Sequence, residues 1–246
     1  MLIRGREQCL ARQSAAGRLY YRWCGVPDLG LQLRSRHAWR ALCRLSPPAR
    51  LLDYGCGSGR FALFLARHWP QCAITGYEPD PATLAAARER QAAAGYTNLA
   101  FTGSCPDGPY DCILLLDVLA HVDDPEQLGQ ALATRLRPGG ALVLHTPSGA
   151  ARAHFARHRD FDSRQTDRTR PAWPPEELGT WLARHGFSSW QGTPTFRRFA
   201  GGLAWELDQC TTIPWLTPCW HLLTGLDAFM PAAGGGLLVV ARRSGT

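Results

Sequence analysis

The chain is predicted to fold as an α/β protein, an open, doubly wound and largely parallel sheet with helices on both faces. Three observations predict this. Strand-like and helix-like stretches alternate from about residue 50 to 146, the pattern of repeated βαβ units. The run CILLLD at 112–117 is apolar without alternation, as a strand buried on both faces should be. The segment LLDYGCGSGRF at 51–61 carries a strand into a helix through glycines 55, 57 and 59.

Taken in order, residues 1–49 mix polar and apolar positions, with a helix expected at 31–45 (LQLRSRHAWRALCRL) and ended by Ser46-Pro47-Pro48. Strands are expected at 50–54, 73–77, 98–102, 111–116 and 140–146, and helices at 58–68, 81–94 and 124–136. Pro79-Asp80-Pro81 opens the Ala-rich helix and Gly95 closes it. A basic, irregular connection spans 147–173, and Trp173-Pro174-Pro175-Glu176-Glu177 opens a helix that ends near Gly186. Strands follow at 187–198 and 234–243. The segment between them, 200–233, is far longer than a hairpin loop and is read as a helical insertion. One domain is expected, with 1–49 as an N-terminal helical cap, 50–199 and 234–246 as the core, and 200–233 inserted.

The glycine turn states its chemistry most directly. Glycines let the backbone take positive φ and leave the main chain open to a ligand. The helix that follows offers unpaired N–H groups and the positive end of its dipole to an anionic group. A dinucleotide fingerprint G-x-G-x-x-G/A fits poorly. Counted from Gly55 it places Arg60 at the third glycine, and counted from Gly57 it leaves Gly55 and Asp53 unexplained. Glu78 ends the next strand about 20 residues on, where a carboxylate can accept from two ribose hydroxyls.

The spacing D-x-G-x-G-x-G resembles the first motif of the class I S-adenosylmethionine-dependent methyltransferases, whose glycine turn holds the methionine end of the cofactor. YDCILLLDVLAHVDDPEQLGQALATRLRPGGALVLHTP is similar to that family's small-molecule branch, which includes ubiquinone- and menaquinone-type enzymes. The shared parts are the fourth strand, an Asp-Val-Leu-x-His-Val segment, a helix and a Leu-x-Pro-Gly-Gly turn. PPEELGTWLARHGF before a strand is also typical. The resemblance implies a Rossmann-like, seven-stranded fold with S-adenosylmethionine as cofactor. It implies a cofactor pocket built from Asp53, Gly55, Cys56, Gly57 and Gly59, and from Glu78 and Pro79. Ser104 stands where the branch usually places an acid toward adenine, with Cys105 beside it in the expected pocket and Asp107 a few residues later, and Asp117 lies at the same sheet edge. An N-terminal arginine meets the cofactor carboxylate in that branch, and Arg36 is the candidate here; a solvated helix face is its other reading.

His121 is the candidate general base, because it follows the fourth strand at the carboxyl edge, where open α/β sheets bind ligands. A structural histidine packing the loop is the alternative. His145 is the weaker rival, since a histidine within a strand usually packs or bonds locally. Ala120 stands where related sequences often carry an acid before the histidine, so no metal or acid role is expected there.

Composition excludes several classes. The formal net charge is +7, carried entirely by arginine among the basic residues, with no basic run interleaved with aromatics; nucleic acid is not an expected partner. Nine cysteines, an odd number without a C-x-x-C pair, argue against a zinc site and a disulfide framework, and for reduced thiols in the cytoplasm. MLIRGREQCLARQ has no apolar signal core, and no apolar run is long enough for a spanning helix. The expected acceptor is a small molecule, apolar or aromatic, with a lipid-linked one as a further reading. Trp205, Trp215, Trp220 and Phe229 of the insertion fit a lid over such an acceptor, a peripheral membrane contact, or a hairpin completing the core. The alternative reading is a protein that binds S-adenosylmethionine or its demethylated product without catalysis, or an RNA- or protein-directed methyltransferase; the absence of an N-P-P-Y or D-P-P-Y signature counts against the nucleic-acid option.

Overall fold

The computed structural model describes residues 3–4, 8–9, 14–25, 28–148, 172–197 and 234–245. Its strands are β1 (Arg50–Tyr54), β2 (Ala73–Tyr77), β3 (Leu99–Thr102), β4 (Tyr110–Leu116), β5 (Leu136–Pro147), β6 (Phe187–Arg197) and β7 (Gly234–Arg243). They form one seven-stranded sheet in the order β3-β2-β1-β4-β5-β7-β6. The first five are parallel, and β7 runs antiparallel to both β5 and β6. The described helices are α1 (Ala15–Trp23), α2 (Leu29–Leu42), α3 (Arg60–His68), α4 (Pro81–Ala94), α5 (Pro125–Arg135) and α6 (Pro175–Arg184).

Strand alternation divides the core between the two faces of the sheet. Leu51, Ile74, Leu114 and Val143 meet Leu63, Leu65 and Ala87 on one face. Leu52, Ile113, Leu115, Leu142 and Leu144 meet Leu128, Leu132, Leu178 and Trp181 on the other. Trp181 is fully buried, and its indole N–H donates to Pro125 O at 3.1 Å, which ties α6 to α5. Burying that ring while satisfying its N–H secures the second face; truncation to alanine costs about 3–5 kcal/mol at such a site.

Short acids set the helix starts. Asp28 accepts from Leu31 N at 2.7 Å, Asp80 from Thr83 N at 2.7 Å and Asp124 from Gln127 N at 2.9 Å. Pro at the first turn of α4 and α5 supports the same starts. The helix expected at 31–45 is α2, Leu29–Leu42. It starts earlier because Asp28 caps it, and it ends earlier because Arg44 N and Leu45 N close tight bonds to Ala41 O and Leu42 O. α1 was not anticipated; its start is set by Ser14, which accepts from Gly17 N. β5 begins at Leu136 rather than 140, because Leu136 pairs with Tyr110 across an irregularity in the β4–β5 register. The insertion at 200–233 and residues 149–171 of the basic connection lie outside the described residues. No described helix is long and apolar enough to cross a membrane.

Candidate functional site

Strand order reverses between β1 and β4, so the loops leaving their carboxyl ends diverge and leave a crevice there. The β1 loop is the glycine turn. Gly55, Gly57 and Gly59 have φ of 73°, 55° and 75°, a region that favours glycine. Two of them have a further, steric reason to lack a side chain. A Cβ at Gly55 would stand 2.4 Å from Val118 Cγ2, and one at Gly59 would stand 2.4 Å from Phe101 Cζ. A Cβ at Gly57 would meet nothing within 4 Å, so this glycine presents bare backbone to open space. Gly59 also caps α3 without any side-chain hydrogen bond, which leaves the first N–H groups of the helix for a ligand.

The turn is held from β2. Gly55 N and Cys56 N donate to Tyr77 O at 2.8 and 2.9 Å. Glu78 Oε2 accepts from Gly57 N at 2.9 Å, and Oε1 accepts from Asp80 N at 3.0 Å. A carboxylate has about four acceptor positions, so two remain for hydroxyls in the crevice. From below, buried Arg90 donates to Ser58 O at 3.0 Å and to Gln8 O at 3.3 Å. Asp53 lies 3% exposed beneath the turn. Burial first, and then the negative charge of Glu78, push its carboxyl from 3.8 up to about 7. Burial, followed by the charges of Asp53 and Glu78, likewise pushes the Cys56 thiol far above its ordinary range, so Cys56 stays a neutral thiol.

The loop after β4 is built differently. Asp117 takes a φ of 59°, strained for a non-glycine residue. That conformation accompanies a carboxylate engaged through both oxygens. Oδ1 is hydrogen-bonded to His145 Nδ1, and Oδ2 pairs with Arg34 Nη1 of α2 at 3.0 Å. The other ring nitrogen of buried His145 lies 2.8 Å from Thr195 Oγ1 of β6. Gly236 of β7 makes room for this contact, since a Cβ there would stand 2.4 Å from Thr195 Oγ1. Burial alone would raise Asp117, but His145, then Arg34, with His121 adding less, outweigh it and bring the carboxyl from 3.8 down to about 2.

The structure gathers Asp53, the glycines, Cys56 and Glu78 into one turn, and Val118 of the β4 loop packs on it. Ser104 is exposed directly after β3; its N–H donates to Thr102 Oγ1 at 3.1 Å, and the adjacent Thr102 O accepts from Glu78 N. Pro79 is exposed beside Glu78. Cys105 neighbours Tyr54, whose hydroxyl is pushed up to about 12 by burial and then by that thiol. His121 is exposed in a single 3₁₀ turn, Leu119–His121, at the mouth. Asp117 sits at the expected edge, but protein side chains engage both of its oxygens. The α2 arginine that reaches the edge is Arg34; Arg36, two residues on, lies about 200° further round the helix. His145 is engaged at both ring nitrogens, by Asp117 and Thr195, 28 and 50 residues away in the chain. Arg34, Arg90 and Thr195 escaped the sequence reading, because no local motif marks an arginine or threonine whose partner is distant in the chain. Among the described residues no group of three or more His, Cys, Asp and Glu could hold a metal ion. The open Gly57, the bare start of α3, the spare acceptors of Glu78 and the ionisable Asp53 suit a ligand that carries hydroxyls, an anion and a cation. S-adenosylmethionine has all three.

The comparisons agree with this geometry. The methyltransferase domain family matches residues 30–191. The chain is 30% identical over 190 residues to a trans-aconitate 2-methyltransferase of Streptomyces coelicolor, covering 74% of this chain and 58% of that one. It is 38% identical over 109 residues to an uncharacterized methyltransferase of a Mycobacterium species, covering 43% of this chain and 42% of that one. The chain thus spans about half the length of curated relatives it matches. Its fold resembles an S-adenosylmethionine-dependent methyltransferase of Thermotoga maritima, with a TM-score of 0.58, 17% identity, and 92% and 95% of the two chains covered. It also resembles a phosphoethanolamine N-methyltransferase of Haemonchus contortus in complex with S-adenosylmethionine, with a TM-score of 0.62, 16% identity, and 85% and 52% covered. With the family matching well over half of its length, the chain belongs to the methyltransferase domain family, the class I S-adenosylmethionine-dependent methyltransferases.

Proposed function

We propose that this protein transfers a methyl group from S-adenosylmethionine to a small acceptor that presents an ionised carboxylate. The observation that carries the first half is the glycine turn, open at Gly57 and tied to Glu78. Glu78 would receive the ribose hydroxyls, the start of α3 the cofactor's carboxylate, and Asp53 its ammonium. Ser104 and Cys105 would border the adenine, and Val118 closes the floor. Bound there, the cofactor supplies a methyl group on a positively charged sulfur. The chain's own task is alignment, because the acceptor oxygen must lie opposite the bond that breaks, whose electron pair returns to sulfur.

The acceptor class rests on two supports. Several relatives are named for trans-aconitate, a polycarboxylate. The mouth beside Asp117 also carries a partly exposed cation, Arg34, and exposed His121. A carboxylate is already ionised at neutral pH, so its methylation needs no general base. His121 then orients the acceptor and removes no proton. The apolar, aromatic or lipid-linked acceptor of the quinone-type branch drew its support from the aromatics of 200–233, which lie outside the described residues.

The test is turnover of trans-aconitate against an aromatic hydroxyl acceptor, followed as S-adenosylhomocysteine formed. The proposal expects carboxylate methylation, with His121→Ala lowering turnover by less than about tenfold. If only the hydroxyl acceptor is used and His121→Ala lowers turnover by about 10²- to 10⁴-fold, the acceptor is a hydroxyl and His121 is its base.

A further inference from the structure

We propose that the outer face of α1 docks on an anionic lipid bilayer, a role separate from the methyl-transfer site. The helix reads AAGRLYYRW, and none of its residues is buried. Its inner side is nevertheless fixed. Tyr21 packs against the core beneath α2 and α3, and the Arg60 guanidinium stands 5.4 Å from its ring. The opposite side therefore faces outward.

That side pairs apolar anchors with cations. Leu19 and Trp23, one turn apart, are 58% and 65% exposed. Among the described residues the only other large hydrophobic side chain classed with them is Trp190, at 37%. Arg18 and Arg22 form the neighbouring row, also one turn apart. With Ala15 and Leu19 they line an open concavity of about 420 Å³. Arg22 stands 5.8 Å from the Trp23 ring, so the guanidinium and the indole reach the same surface; Arg18 keeps contacts of its own within the chain. No acidic residue occurs from Ser14 to Gly25.

A water-facing helix gains nothing from two large apolar side chains one turn apart. A helix in a bilayer interface gains from both rows. Leu and the indole enter the boundary between headgroups and acyl chains, and the arginines reach the phosphates. Every charged residue of the helix segment itself is an arginine, which favours an anionic surface over a protein patch of mixed charge. The whole chain's net charge of +7 adds attraction at longer range.

Co-sedimentation of the purified full chain with vesicles tests this. Phosphatidylcholine–phosphatidylglycerol vesicles should retain the protein at least about tenfold more strongly than phosphatidylcholine alone, and raised salt should weaken that binding. Arg22→Gln should weaken it about fivefold, and Leu19→Ser with Trp23→Ser by more than about tenfold. Each variant should bind S-adenosylhomocysteine as the wild type does, which shows that the domain is folded. Free glycerol phosphate should not displace the protein from vesicles. Equal binding to both vesicle types, unaltered binding by the α1 variants, or displacement by the free headgroup would overturn the proposal.

Discussion

Asp53 and Asp117 leave the sheet on neighbouring strands, one on each side of the crevice, and their carboxyls move in opposite directions. Asp53 is raised to about 7 by burial and by Glu78; Asp117 is lowered to about 2 because His145 and Arg34 outweigh its burial. Among the described residues, one acid is held without a cation beside it, in the turn proposed to face the cofactor. The other is wedged between two donors supplied by β5 and α2. The difference separates an acid that a ligand must complete from an acid that the protein has already completed. It matches the roles proposed for the two edges: the β1–β2 side to bind, and the β4–β5–β6 side to brace the mouth.

The largest expected effect breaks that contrast at Asp53. Its native carboxyl keeps a proton up to near pH 7, whereas the unfolded chain releases it near 3.8, so stability falls as pH rises between those values. Asp53→Asn removes the penalty. Urea unfolding at pH 8 should show the variant more stable by as much as about 4 kcal/mol, with little difference at pH 4. The same variant should bind S-adenosylhomocysteine more weakly. In the wild type a cationic ligand group draws the carboxyl back down, so calorimetry in buffers of different ionisation heat should detect proton release on binding near pH 6.

Asp117→Asn should do the opposite. It strips charge from a carboxylate that two partners depend on, and should cost about 2 kcal/mol of stability at pH 7, with cofactor affinity nearly kept. The sign with pH is also reversed. The stabilisation from Asp117 is complete above about pH 4 and is lost as pH falls toward 2, so wild type and variant should converge in acid. A variant as stable as the wild type at pH 7 would dissolve the contrast.

Glu78→Ala sharpens the binding side alone. It should weaken the cofactor by about 1.5–3 kcal/mol, as expected for hydrogen bonds to a charged group, in a domain that still folds but loses about 1 kcal/mol for each of the bonds from Gly57 N and Asp80 N. The smallest effect belongs to Arg34→Gln. Its pair with Asp117 is about a quarter exposed, so thermal unfolding should register about 1 kcal/mol or less.

The binding edge was legible in the sequence because its parts are local. Gly57 and Glu78 are 21 residues apart and joined by one βαβ step, so spacing alone brings them together. The bracing edge was not legible. His145 meets Thr195 across 50 residues, and Arg34 reaches Asp117 from a helix before the sheet begins. Only the completed sheet order makes those side chains neighbours. Periodicity likewise gave every strand of the sheet, but capping decided where α2 starts, and the short α1 shows its pattern only against the body it rests on. Arg36 was selected by analogy with an N-terminal arginine; the α2 arginine seen to pair at the edge, with Asp117, is Arg34.

The central claim, that the glycine turn holds the cofactor, is tested most directly by calorimetry of S-adenosylhomocysteine with wild type and Gly57→Val. A Cβ there meets no protein atom within 4 Å, so the variant should still unfold cooperatively, with the strain of its φ of 55° lowering stability. The account predicts micromolar binding by the wild type and a loss of at least about 100-fold in the folded variant, because the branched side chain fills space the ligand needs. Equal affinity in the two proteins, or wild-type binding no better than millimolar, would contradict it.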